Sequence, residues 1–323
     1  MVFMVQGDMN ISPLIKRVAR GKHGSDHLSR DDAKTVFQEL LRPDADPLQL
    51  GAFLIAQRMK GETSAELAGF VDATRETVPG FAQIVAPKGA VDLPCYAGKR
   101  RDGHSYLAAA MQARDRGVPV VVHGIEQIEG RMTAWQALQG AGVKRALSLD
   151  AAVEMLDRDH IVYIDLAELS PDLFRIYNLR ERLGVRSFAN TVARLLNPML
   201  CDGQLNGFFH TPYADYMADA NVLLGQKRSL IFMGAEGEPE LYADRQKVIV
   251  KQQDEGISRL AYAEAGLDVY PREAMHEVEL KACVAALLAG EGNKRQAAVI
   301  EKMNDAFNWV SQGVFPAAWH EHR

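Results

Sequence analysis

The sequence predicts an α/β protein built from a small α-helical domain, interrupted in the chain, and a larger α/β domain with a mainly parallel central sheet. Three observations lead there. Through about residue 80, apolar residues recur at spacings of three and four behind good helix caps, and no strand pattern intervenes. After Pro79-Gly80, short β-branched runs alternate with helix-length stretches, the pattern of a parallel sheet covered by helices. Two successive helical stretches near 170–203 then break that alternation. Packed back on the amino-terminal helices, they make the helical domain discontinuous. The boundaries expected are 9–80 plus 170–203 for the helical domain and 85–169 plus 204–323 for the α/β domain.

Each element has its own justification. Ser12-Pro13 offers a capping hydroxyl and a first-turn proline to a helix carrying Leu14, Ile15 and Val18. Ser29-Arg30-Asp31-Asp32 precedes Ala33, Val36, Phe37, Leu40 and Leu41 at helical spacing. Asp46-Pro47 opens a third helix, with Leu50, Phe53 and Leu54 inward, and Thr63-Ser64-Ala65-Glu66 caps a fourth, with Leu67, Phe70 and Val71 inward. Strands are predicted at 90–93, 118–122, 145–149, 161–164, 205–209, 229–233 and 247–251. One helix is predicted from Ser170-Pro171 to Leu183-Gly184 and another from Ser187 to Asn197-Pro198. Two more occupy 276–312, and Phe315 to Arg323 reads as a tail.

Composition narrows the function. The 323 residues are 47% hydrophobic and 24% charged, enough for a well-buried core. No apolar run approaches the roughly 18–20 residues needed to span a bilayer, and Met1 to Val5 lacks the basic flank of a secretory leader. Three scattered cysteines, Cys95, Cys201 and Cys283, read as reduced thiols in a cytoplasmic protein. With a net charge of −5, any binding of nucleic acid has to come from a local basic patch.

The most informative stretch is Val91 to Gly103. An apolar strand runs into a small-residue loop that ends in Lys99-Arg100-Arg101, and a second strand follows and finishes at His123-Gly124. That is a βαβ unit whose first loop lies at the carboxyl edge of the sheet, where α/β folds bind ligands. Backbone N–H groups there can meet an anion. His123 could serve as a base, but nothing in the sequence fixes an acid or nucleophile beside it, so structural hydrogen bonding is the expectation. Cys95 beside three cations could be acidified.

Several stretches together resemble the anthranilate phosphoribosyltransferase family, glycosyltransferase family 3. They are Gln49 to Ala56 running on to Lys60-Gly61-Glu62-Thr63, and Leu183 to Asn190 running on to Leu196-Asn197-Pro198. The resemblance implies a homodimer formed through the helical domain. It also locates departures. Where the enzymes carry Gly-Thr-Gly-Gly-Asp around the donor diphosphate, this chain has Cys95-Tyr96-Ala97-Gly98-Lys99; where they carry Lys-His-Gly-Asn-Arg, it has Val122-His123-Gly124-Ile125-Glu126. Their metal-binding Asp-Glu pair falls at Pro239-Glu240, a degenerate site with Glu238 as the one neighbouring carboxylate. No metal and no cofactor is therefore expected. Arg180 falls where the enzymes hold the acceptor's carboxylate.

These departures resemble the YbiB-like branch of the family, which implies non-sequence-specific binding of DNA or RNA, single strands included, without the transferase reaction. Cationic residues suit that ligand: Lys99, Arg100 and Arg101 in the loop, and Arg175, Arg180, Arg182, Arg186 and Arg194 beyond it, with Arg175 and Arg182 on one helix face. For each arginine singly, a salt bridge across a domain or dimer interface is an equal alternative. Lys16, Arg17, Arg20, Lys22 and His23 form a further cluster that reads as ordinary surface. Tyr96 either stacks a base or fills the space that glycines leave. The alternative function is transfer from a phosphoribosyl donor to another acceptor, with Lys99-Arg100-Arg101 neutralising the donor and Arg180 holding the acceptor.

Overall fold

The computed structural model describes residues 10–21, 24–209, 213–262 and 266–322. Four helices open the chain: α1 (Ser12–Val18), α2 (Arg30–Leu41), α3 (Pro47–Lys60) and α4 (Ser64–Thr77). The α/β part follows as β1 (Val91–Cys95), α5 (Ser105–Asp115), β2 (Val120–Gly124), α6 (Ala134–Gly140), β3 (Arg145–Ala146), α7 (Leu149–Asp159) and β4 (Ile161–Asp165). Four short helices then intervene: α8 (Leu166–Leu169), α9 (Pro171–Tyr177), α10 (Arg180–Leu183) and α11 (Ala189–Leu195). The chain ends with β5 (Gly203–Phe208), α12 (Tyr213–Leu223), β6 (Arg228–Met233), β7 (Ile249–Gln253), β8 (Gly256–Tyr262), α13 (Glu277–Leu288), α14 (Lys294–Gln312) and β9 (Trp319–His322).

The caps explain most helix starts. The Ser29 hydroxyl accepts from Asp32 N, the Asp46 carboxylate from Leu48 N and Gln49 N, and Thr63 and Glu66 form a reciprocal capping box. Ser12 departs from expectation: it lies inside α1, behind Ile11, and caps nothing. The helical domain is knitted by an aromatic cluster in which Phe37, Phe53 and Phe70 surround Phe188, with Phe70 and Phe188 stacked at 4.2 Å. Phe188 thereby anchors the 187–195 segment to the opening helices.

Among the described residues nine strands form one sheet in the order β3-β4-β2-β1-β5-β6-β7-β8-β9, parallel from β3 through β6 and antiparallel beyond. The order in which strands are added reverses at β1, whose neighbours are β2 and β5. The loop after β1 therefore sits at the switch point where α/β sheets open a crevice.

Four elements differ from the sequence expectation. The strand expected at 145–149 is two residues long, because Ser148 caps α7 and draws Leu149 into a helix. Strand β8 was not expected; Asp254, at φ 49°, and Glu255 turn the chain back as a hairpin closed by the Gln253–Gly256 pair. The expected tail supplies β9, which pairs with β8 and buries Trp319 against Tyr262. The single helix expected from Ser170 to Leu183 is broken at Asn178 and Leu179 into α9 and α10, so Arg175 and Arg182 do not share a face. Among the described residues no helix is long and apolar enough to cross a membrane.

Helices α2 and α4 pack at near backbone contact over Gly69, where a Cβ would stand 2.3 Å from Arg30 O. Gly69→Ala is expected to force the two helices apart and lower unfolding free energy by about 1–3 kcal/mol, read as a fall in the urea midpoint.

Candidate functional site

Strand β1 ends at Cys95, and Tyr96 to His104 turn across the carboxyl edge of the sheet into α5. Gly124 makes the tight start possible, since a Cβ there would lie 2.2 Å from Cys95 O. Gly98, at φ +64°, makes the turn itself. Lys99 then pairs main chain with Met132, N to O at 2.9 Å and O to N at 2.8 Å, which ties the loop to the 126–133 loop after β2.

The loop's outward amides meet the chain's own carboxylates. Beyond β6, Glu236-Gly237-Glu238-Pro239-Glu240 runs past the loop, with all three acids buried. Glu238 Oε1 accepts from Ala97 N at 3.0 Å and from Gly98 N. Glu236, itself at φ 57°, accepts from Arg100 N, from Arg101 N at 3.0 Å and from the Tyr270 hydroxyl at 2.9 Å. Glu240 pairs with Lys99 Nζ and accepts from Tyr106 N at 3.2 Å. Burial pushes the Glu238 carboxyl upward and raises Glu240 to about 7, against the pull of the Lys99 ammonium.

This arrangement corrects several expectations. Lys99 is fully buried and bound to Glu240 and to Gly103 O, so its ammonium faces inward rather than to solvent. Glu238 Oε1 is taken by the loop amides and Glu240 Oε1 by Lys99, and Pro239 has no carboxylate. Cys95 is buried, and burial holds its thiol well above the usual range, the reverse of acidification. Tyr96 fills the vacated space: its ring is buried, and its hydroxyl lies 2.7 Å from His123 Nδ1.

His123 is a buried residue of β2, not of a loop. Its Nε2 lies 3.1 Å from Asp92 Oδ1 but out of line for a hydrogen bond. From Asp92 a polar ladder crosses the sheet. Gln204 donates to Asp92 at 2.9 Å, Asn206 and Asn221 donate to Gln204, Asn221 also donates to Ser229, and Ser229 donates to Gln252 at 2.7 Å.

The arginines divide by role. Arg175 donates to Leu40 O, Leu41 O and Arg42 O at the end of α2, a structural cap. Arg194 donates to Asn190 O and Gly207 O and lies over the Tyr96 ring. Neither reaches outward as a phosphate ligand would. Arg180, Arg182 and Arg186 are exposed, with no carboxylate partner among the described residues, as is Arg100; Arg101 is half-exposed. Arg186 is exposed as a residue, but its guanidinium is partly desolvated, and that together with the neighbouring Arg180, Arg194 and Arg131 lowers its pKa, so these four cations share one field. In the first-helix cluster Arg17 pairs with Asp32 at 2.8 Å, while Lys22 and His23 lie outside the described residues.

Sequence reasoning missed Arg131, Glu236 and Tyr177, whose hydroxyl donates to Tyr96 O at 3.2 Å. Arg131 has no local signal, since a main-chain pairing brings it to the loop. Glu236 did carry one, since it opens the same acid run as Glu238 and Glu240 just after a strand.

Two outcomes follow from this geometry. Glu238→Ala strands two loop amides and is expected to cost about 2–4 kcal/mol of stability; added inorganic pyrophosphate should then raise the melting temperature of the variant and leave the wild type unmoved. His104, whose Nε2 lies 3.1 Å from Met132 O, is buried beside Lys99, and burial holds its pKa down to about 3. The unfolded chain takes up this proton first, so the stability His104 confers is complete above pH 6.5 and falls by about 1.4 kcal/mol per pH unit below it. His104→Gln should flatten the acid limb of stability measured by urea titration between pH 7 and pH 4.5.

Comparison with known proteins agrees with this architecture. Residues 12–78 match the helical bundle domain of a glycosyl transferase family. YbiB of Escherichia coli, whose function is uncharacterised, is 30% identical over 242 residues, 74% of each chain. An uncharacterised protein of Aquifex aeolicus is 32% identical over 82% of this chain and 81% of its own. Anthranilate phosphoribosyltransferase of Methanocorpusculum labreanum is 32% identical over 69% of this chain and 65% of its own. In fold, the chain superposes on anthranilate phosphoribosyltransferase from Thermus thermophilus with a TM-score of 0.73 at 23% identity, covering 93% of this chain and 89% of that one. The enzyme from Saccharomyces cerevisiae in complex with PRPP and Mg gives 0.72 at 15% identity, covering 94% and 89%. Opening helical bundle, switch-point loop and relatives together place this chain in the anthranilate phosphoribosyltransferase-like glycosyltransferase family 3.

Proposed function

We propose that this protein is a cytoplasmic homodimer that binds DNA or RNA without sequence preference, single strands included, and does not carry out anthranilate phosphoribosyl transfer. The observation that carries the reading is the filled loop. The amides of Ala97 and Gly98 are bonded to Glu238, those of Arg100 and Arg101 to Glu236, and Lys99 to Glu240. A diphosphate would have to displace a resident carboxylate and meet two more. A polyanion would meet instead the exposed cations Arg100, Arg180, Arg182 and Arg186, which have no carboxylate partner among the described residues.

Dimerisation is supported by α3, which is apolar on two faces. Leu50, Phe53 and Leu54 face the core, while Leu48, Ala52, Ile55 and Met59 form a stripe on the opposite face, with Leu48 79% and Met59 82% exposed. A stripe of that length on a small domain suits burial against a second copy. The expected domain boundaries belong to the same reading: α9 and α11 pack on α4 and so join the helical body that would dimerise.

A transferase acting on another acceptor is the second reading, favoured by family membership. It requires Glu238 to leave the loop.

The test is fluorescence anisotropy with labelled single- and double-stranded oligonucleotides across a salt series. The wild type should bind with a steep salt dependence. Arg180→Ala/Arg182→Ala/Arg186→Ala should weaken all sequences alike and reduce the log–log slope by about 0.7–0.9 for each phosphate no longer neutralised. No binding at low salt would sink the reading, and product formed from a phosphoribosyl donor would establish the second. Ile55→Glu/Met59→Glu should yield a folded monomer by sedimentation.

A further inference from the structure

A groove of about 1010 Å³ opens on the α5 side of the sheet, between α6 and α13, away from the filled side of the loop. Its walls include Met111 of α5, Met132, Ala137 of α6, and Leu280, Val284 and Leu288 of α13. Leu280, Val284, Met132 and Ala137 are buried members of the core beneath, so the floor is the outer surface of packed apolar residues, with the half-buried Met111 and Leu288 beside them. Thioether side chains suit such a floor, because methionine adapts to irregular apolar shapes.

Charge at the groove is one-sided. Arg100, Arg131 and Lys281 line it against a single carboxylate, Glu277, and that carboxylate pairs with Lys281. Arg131 is held by its guanidinium, whose Nη1 donates to Gly98 O at 2.9 Å and pairs with Glu236 at 3.5 Å, leaving its other nitrogens to face the groove. Arg100 is the cation left over. Its main chain is pinned on both sides, N–H to Glu236 and C=O accepting from Met275 N at 2.8 Å, while its side chain is exposed and has no carboxylate among the described residues. In a chain of net charge −5, a positive mouth over an apolar trough selects for one chemistry.

We propose that this groove is a binding site for a small amphipathic anion, a free alkyl-chain carboxylate, with its head on Arg100 and Arg131 and its chain along Met111, Met132, Leu280 and Val284. The volume is that of an ordinary small-ligand site. Apolar burial supplies affinity, and the arginines fix direction and exclude neutral chains of the same length. The site borders the proposed nucleic-acid surface and shares Arg100 with it, while Arg180, Arg182 and Arg186 lie outside its lining.

The experiment is calorimetric titration of the full chain with decanoate and with its neutral counterpart 1-decanol. Decanoate should bind saturably, one per chain, and decanol markedly more weakly. Arg100→Ala should weaken decanoate about tenfold and leave decanol unchanged. Ala285→Trp, at an exposed position of α13 lining the groove, should fill it and abolish both without touching the core. The proposal falls if decanoate does not saturate, if acid and alcohol bind alike, or if Ala285→Trp leaves binding intact. It falls equally if Ala285→Trp changes only the oligomeric state, which would assign the groove to a second copy of the chain.

Discussion

The structure depends on three glutamates meeting one loop. Glu236, Glu238 and Glu240 take the main-chain donors of Ala97, Gly98, Arg100 and Arg101 and the ammonium of Lys99. Each partner would otherwise be a buried group without a bond, at a cost of about 1–3 kcal/mol for an amide and more for a charge. The edge of the sheet that carries ligands in α/β folds is here closed from within. This constraint reaches outward: it holds Arg100 and Arg131 at the mouth of the α6–α13 groove, and it leaves the outer arginines as the cations available to solvent. An acid run and a cationic run that would look opposed in sequence are partners across the crevice.

Much of the fold was legible because it rests on local signals. Caps at Ser29, Asp46 and Thr63, helical spacing of apolar residues, and β-branched runs are read within a dozen residues. What escaped was set by non-local pairing. Strand β9 has no strand-like composition and exists because β8 offers an edge and Tyr262 a surface for Trp319. Helix α9 ends where Arg175 turns to the carbonyls of α2, a contact 135 residues away that no periodicity reveals.

The site was legible in position and misread in detail. The loop at 95–101 does occupy the switch point of the sheet, as the βαβ pattern indicated. Charge type, however, does not report exposure. Lys99 and Arg100 are neighbours in the chain, and one is fully buried while the other faces solvent. The difference is made by Glu240, which lies 141 residues further on.

The polar ladder from Asp92 through Gln204, Asn221 and Ser229 to Gln252 couples five elements inside an otherwise apolar layer. Every member is both a solvent for its neighbour and dependent on it. Change to one rung leaves the next one dry, so these positions cannot drift one at a time as apolar core positions do. The sheet is thus assembled from two kinds of memory. Its apolar contacts tolerate gradual repacking, whereas this row admits only concerted replacement, and it keeps β1, β5, β6 and β7 in one register while the surfaces around them are free to take on new ligands.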